Sequence, residues 1–309
     1  MCVCEVAEFG GPDVLRLAAR RWPEAGEGEV VVEIAAANVN PTDLAARGGL
    51  HRSRMPDLRP RFVPGWDLAG TVSEVGAGVD EYRPGEAVVG MIPWVRIGGR
   101  VGAYAQAASV DPGWLALRPP GLDEITGATV PLNTLTARQA LDLIGLKSGS
   151  TLLITGASGA VGGFATQLAV RDGLRVLAVA SDADEEWVRS LGPAEVLPRS
   201  TELGKLEQVD AVLDAVPVGA AVAAAVKPGG VALFTRFVEV PERPDLRVET
   251  PLVRSDPLAL AELTEWVARG ELKTRVARTF DLGEAAEAHR LVERGGLRGK
   301  IVLTIRRGG

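Results

Sequence analysis

TGASGAVGG, residues 155–163, decides how this chain is read. An apolar run, TLLIT at 151–155, precedes it, and a helical stretch at 164–171 follows. Gly156, Gly159 and Gly162 give the spacing G-x-x-G-x-x-G where a strand meets a helix. Glycine lets the backbone approach a diphosphate, whose charge then meets the N–H groups that open the helix. A second buried run, RVLAVA at 175–180, completes a strand–helix–strand unit of the expected length. The expectation is a dinucleotide turn made by Gly156, Ser158, Gly159, Ala160, Val161 and Gly162. The alternative is a tight structural turn that binds nothing.

The end of the second strand bears on which dinucleotide. An acid there would accept the ribose hydroxyls of NAD. This strand ends Ala180-Ser181, small and neutral, with room for a 2′-phosphate. Asp182 follows, 20 residues after Gly162, which suits NAD. A carboxylate about 4 Å from a phosphate costs about 1–4 kcal/mol, so NADP binding requires a compensating cation. Arg199, after an expected third strand at 195–197, is the first candidate and Arg189 the second. NADPH is the expected cofactor, with NADH less favoured.

Farther out, strands at 209–216 and 231–235 and helices at 184–190 and 257–268 continue the alternation. Strand and helix alternating at this spacing predict an α/β fold with a Rossmann-type, doubly wound parallel sheet. The first 120 residues differ. Strands at 29–36, 68–75 and 102–110, and one ending 81–91, are divided by Gly and Pro, as in a β-rich barrel. RPPGL at 118–122 reads as a boundary, with helices at 123–128 and 135–144 beyond it. The tail reads strand 275–281, helix 284–294, strand 300–305.

Composition narrows the function. With 34 Lys and Arg against 40 Asp and Glu, the net charge is −6, which disfavours nucleic acid as a partner. Two cysteines and two histidines exclude a disulfide framework, a four-cysteine zinc lobe and a histidine-rich metal site. No run approaches the roughly 18 apolar residues of a membrane span, and the N-terminus lacks a signal-peptide pattern. A cytoplasmic location is the expectation, and Cys2 and Cys4 read as reduced thiols in an opening strand.

Several further segments carry a resemblance. EFGGPDVLRL (8–17), AANVNPTDLAARGG (36–49), PGWDLAGTVSEVGAGVDEYRPGEAVVG (64–90), VPLNTLTARQAL (130–141) and LRGKIVLTI (297–305) stand in order around the glycine turn. Together they resemble the medium-chain dehydrogenase/reductase superfamily, in the zinc-free quinone oxidoreductase branch that includes zeta-crystallin. The resemblance implies a GroES-like catalytic domain from both chain ends, 1–121 and 273–309. A nucleotide-binding domain, 122–272, is inserted, and the cofactor lies in the cleft between them. Zinc-dependent relatives place Cys in the loop that here reads Pro41-Thr42-Asp43, and His-Glu where this chain has Trp66-Asp67. Neither ligand type is present, so no zinc is expected.

The resemblance also implies roles. Asn40 meets the nicotinamide side of the cofactor and Thr136 its carboxamide, though they also read as a turn residue and a helix cap. Ala215 and Val216 border the adenosine, and Phe234 and Thr235 the nicotinamide ribose. The chemistry is hydride transfer from NADPH to a small-molecule quinone or enone, in general or specialised metabolism. Quinone reductases of the branch carry tyrosines where this chain has Ala45 and His51. His51 is a candidate proton donor or carbonyl ligand, with a solvated loop histidine as the alternative. Tyr104, in GAYAQ, reads as packing near the cofactor or as the acid. Trp66, Trp94 and Arg96 line an acceptor pocket or belong to the core. Tyr82 falls in a surface turn, and His289 on a helix as a structural residue. A homodimer through an edge strand at 246–253 is implied. A cofactor-binding sensor or scaffold without turnover is the competing function.

Overall fold

The computed structural model describes residues 1–50, 57–236 and 243–306. The chain opens with a hairpin in which β1 (Cys2–Val6) runs antiparallel to β2 (Leu15–Ala19). Then come β3 (Val30–Val39), α1 (Pro41–Arg47), β4 (Asp67–Val75), β5 (Ala87–Met91), β6 (Ala107–Val110) and β7 (Leu115–Leu117). Proline opens α1, where its missing N–H leaves no bond unmade. Asp123 caps the short α2 (Glu124–Gly127) by accepting from the Thr126 N–H. α3 spans Pro131–Ile144.

The alternating region follows as β8 (Thr151–Thr155), α4 (Ala160–Arg171), β9 (Arg175–Ala180), α5 (Glu185–Arg189), β10 (Glu195–Pro198), β11 (Val209–Asp214), α6 (Ala220–Ala223), β12 (Val226–Phe234) and β13 (Arg247–Glu249). The chain closes with α7 (Pro257–Ala268), β14 (Val276–Asp281), α8 (Ala285–Arg294) and β15 (Lys300–Thr304).

Two compact units result. Met1–Leu132, Arg254–Glu271 and Arg275–Gly309 form the first, and Asn133–Val253 with Leu272–Thr274 the second. In the first, a sheet of order β14-β15-β3-β4-β5-β7 carries β6 beside β3. β15 lies antiparallel on β3, with Ile301 opposite Val39 and Thr304 opposite Ala36, so both chain ends build one sheet. In the second, all six strands are parallel in the order β10-β9-β8-β11-β12-β13. Counted from β8 this is 3-2-1-4-5-6, the doubly wound order, whose direction reverses between β8 and β11. Leu153, Val179, Val212, Ala232 and Phe234 are among the side chains of its core.

The division differs from the sequence-based boundaries at 121/122 and 272/273. Residues 122–132 and 254–271 fall with the first unit. α7 lies against β7, and the Leu132 N–H bonds the Asp67 carboxylate on β4 at 2.6 Å. Tyr82 also departs from its surface reading. Its ring is buried and its hydroxyl donates to the Leu115 carbonyl at 2.8 Å.

Candidate active site

In the second unit the expected cofactor residues gather at the carboxyl ends of the parallel strands, where open α/β sheets bind ligands. The turn at 156–162 follows β8, Ser181 follows β9, Arg199 follows β10, Ala215 and Val216 follow β11, and Phe234 ends β12 with Thr235 just beyond it. Gly156 has φ +63°, and its N–H···O turn is closed by Gly159 N to Gly156 O at 2.9 Å. A Cβ on Gly162 would lie 2.3 Å from the Gly156 carbonyl oxygen, so only glycine lets the helix start this close to the turn. Gly159 opens α4 without a side-chain cap, which leaves the first N–H groups of the helix for a ligand. The arrangement fits a diphosphate.

Arg199 is exposed and makes no ion pair among the described residues. Pro198 is paired with Ala180, which sets Arg199 beside Ser181 at the sheet edge. The Ser181 hydroxyl donates to Asp184 at 2.9 Å, and Asp182 is exposed. Thr136 lies half-buried on α3.

Sequence reasoning missed Asp214. Its side chain is buried and accepts from the Thr155 hydroxyl, from Val218 N–H at 3.0 Å and from Gly219 N–H at 2.9 Å. The Asp214 carbonyl takes the Thr235 N–H at 3.1 Å. One carboxylate thus ties the ends of β8 and β11 to the loop beyond. The available signal was a charged residue closing the apolar run Ala211-Val212-Leu213.

In the first unit Asn40 sits in a buried polar group. Asn38 Nδ2 donates to Asn40 Oδ1 at 3.1 Å and to Asp67 Oδ2 at 2.9 Å. Asn40 Nδ2 donates to Asp67 Oδ2 at 2.7 Å. Lys300 Nζ donates to Asn40 Oδ1 at 2.9 Å and to the Val39 carbonyl at 3.1 Å. Asp43 accepts from Asn40 N–H at 2.9 Å and Gly65 N–H at 3.2 Å. Burial pushes Asp43 up to about 7, Asp67 adding to the rise, and burial also raises Asp67. Burial lowers Lys300 to about 8 against the pull of both carboxylates. Asn38 could have been found from its spacing, since Asn40, extended just beyond the end of β3, lies two residues on and so to the same side. Asp43 stands three residues beyond the helix N-cap, the capping-box position.

Tyr104 and His289 are fully buried, and the Tyr104 hydroxyl lies 3.0 Å from His289 Nε2. Arg47 Nη1 lies 3.2 Å from His289 Nδ1, and its other nitrogens reach the Gly10 carbonyl and the Glu293 carboxylate. Guanidinium only donates, so Nδ1 accepts, Nε2 carries the hydrogen and the Tyr104 oxygen receives it. Burial holds His289 down to about 3 and raises Tyr104 well above its ordinary range. His51 lies outside the described residues. Trp94 is enclosed, stacked on Phe62 at 5.3 Å with Trp66 edge-on at 6.3 Å, and neither indole N–H has a partner among the described residues. Arg96 is exposed. Among the described residues no group of His, Cys, Asp and Glu is placed to hold a metal ion, and no helix is long and apolar enough to cross a membrane.

Residues 26–120 match the family model described as alcohol dehydrogenase GroES-like domain, and residues 191–303 that described as zinc-binding dehydrogenase. The chain is 30% identical over 305 residues to a 2-methylene-furan-3-one reductase of Solanum lycopersicum, covering 96% of this chain and 77% of that protein. It is 29% identical to an NADPH-dependent alkenal/one oxidoreductase of Arabidopsis thaliana, covering 96% and 78%. The solved quinone oxidoreductase from Coxiella burnetii superposes with a TM-score of 0.86 at 28% identity, over 99% of each chain. These matches run through both units. The chain belongs to the medium-chain dehydrogenase/reductase superfamily of NAD(P)-dependent oxidoreductases, in its zinc-free quinone oxidoreductase branch.

Proposed function

We propose that this enzyme reduces quinones or α,β-unsaturated carbonyl compounds with NADPH and without a metal ion. The observation that carries the reading is the bare turn at 156–162, which excludes a side chain at Gly162 and leaves the start of α4 uncapped. NADPH, when bound, supplies the hydride. The turn and the helix N-terminus hold the diphosphate. Arg199 pairs with the 2′-phosphate, and Ser181 gives it room rather than a donor, because its hydrogen is directed to Asp184. Ala215, Val216, Phe234, Thr235 and Thr136 border the rest of the dinucleotide, and Asn40 meets its reactive end.

The acceptor is assigned to Trp66, Arg96 and His51, while Trp94, fully buried against Phe62, belongs to the core. Tyr104 is fully buried and burial holds its hydroxyl proton tightly, so the completing proton comes from water or from His51. The oligomer in this reading is a homodimer through β13, which among the described residues pairs only with β12.

The test is a cofactor-resolved screen of quinones, enones and enals. Wild type is expected to consume NADPH faster than NADH. Arg199→Ala is expected to weaken NADPH about tenfold, the worth of one charge-assisted bond, with NADH unchanged. Ser181→Ala is expected to stay within about twofold, well under the worth of one hydrogen bond. Equal NADPH affinity in Arg199→Ala would overturn the assignment of the 2′-phosphate. Sedimentation of a monomer would do the same for the dimer.

A further inference from the structure

Asn40 has little freedom in how it can be used. A carboxamide oxygen has two lone pairs and its nitrogen two hydrogens. Lys300 Nζ and Asn38 Nδ2 fill the oxygen, at 2.9 and 3.1 Å. Asp67 Oδ2 takes one hydrogen at 2.7 Å. One N–H remains. Turning the amide over would face its NH2 to the Lys300 ammonium and its oxygen to the Asp67 carboxylate. That replaces charge-assisted bonds with repulsions. Asp67 is itself fixed by the Leu132 N–H at 2.6 Å, and Lys300 by the Val39 carbonyl at 3.1 Å.

We infer that Lys300 and Asp67 are positioning residues that lock Asn40 as a one-hydrogen donor, so that it recognises an oxygen of the bound reactants and not an N–H group. The inference rests on the reading of Asn40 as facing the reactants. The oxygen belongs either to the nicotinamide end of the cofactor or to the carbonyl of the acceptor.

The test compares wild type, Lys300→Met and Lys300→Arg, each checked by thermal unfolding. NADPH affinity is read by fluorescence titration, and kcat and KM with 2-cyclohexenone. In Lys300→Met, an NADPH Kd raised about tenfold with the cyclohexenone KM held within twofold points to the cofactor oxygen. The reverse split points to the acceptor oxygen. Either supports the lock, provided Lys300→Arg restores the value to within about threefold. A folded Lys300→Met with both constants within twofold of wild type overturns it.

A second readout needs neither turnover nor a variant. In the ligand-free wild type, NMR of the Asn40 side chain should show one Nδ2 hydrogen protected from solvent exchange, held by Asp67. Equal, fast exchange of both hydrogens overturns the lock. An enzyme that consumes no NADPH overturns the proposed function and leaves this readout standing.

Discussion

Gly162 shows how much a single residue position can require. Adding one methyl group would bring carbon to 2.3 Å from the Gly156 oxygen, inside any real contact. Gly162→Ala must therefore open the turn, and NADPH affinity is expected to fall at least tenfold, measured by titration. Asp43 and Lys300 give a pH signature. Asp43, raised from 3.8 to about 7, keeps in the folded state a proton that the unfolded chain has released. Stability therefore falls as pH rises between about 4 and 7, and then levels. Lys300, lowered from 10.5 to about 8, acts in the opposite sense. The unfolded chain keeps a proton the folded state has lost, so stability rises from about pH 8 to 10.5. From these two groups stability is lowest between about pH 7 and 8. Urea denaturation across pH should show this, and Asp43→Asn should flatten the lower limb. At this scale the glycines and Asn40 were legible because their meaning is local. Asp67 and Lys300 were not, since they stand 27 and 260 residues from Asn40 and acquire their role only when β4 and β15 flank β3.

Among the elements, β11 depends on Asp214. Replacing it by Ala removes three bonds and leaves the Gly219 N–H without its acceptor at the carboxyl end of β11. The expected cost is about 3 kcal/mol, read by chemical denaturation, with NADPH affinity lowered as the loop loosens. Strand positions were mostly readable from apolar runs, and β8, β9 and α7 have the expected bounds. The misses have physical causes. Gly162 and Gly163 disfavour a helix, which moved the expected start of α4 to 164, yet the helix begins at Ala160, directly out of the turn. The strand expected at 231–235 already starts at Val226, where β12 pairs with Val209 ahead of a register shift, although Pro228 and two glycines disfavour a strand there.

For the whole molecule, the chain reads as two units whose sequence is interleaved, because β15 returns to β3 after the parallel sheet is complete. The order of motifs made this legible. The exact division was not, since it rests on α7 lying against β7 and on one backbone bond from Leu132. NADPH binding to the native state alone should stabilise it by about 2.7 kcal/mol at a hundredfold excess over Kd. For a chain of this length that is a rise of about 4 °C in Tm, seen in a thermal-shift assay. The most direct measurement is NADPH oxidation by chelator-treated protein given 2-cyclohexenone or a benzoquinone, with product analysis. Stoichiometric loss of NADPH with formation of the saturated ketone or hydroquinone is the predicted result. No NADPH consumption with any quinone, enone or enal, or turnover only after zinc is added, would contradict it.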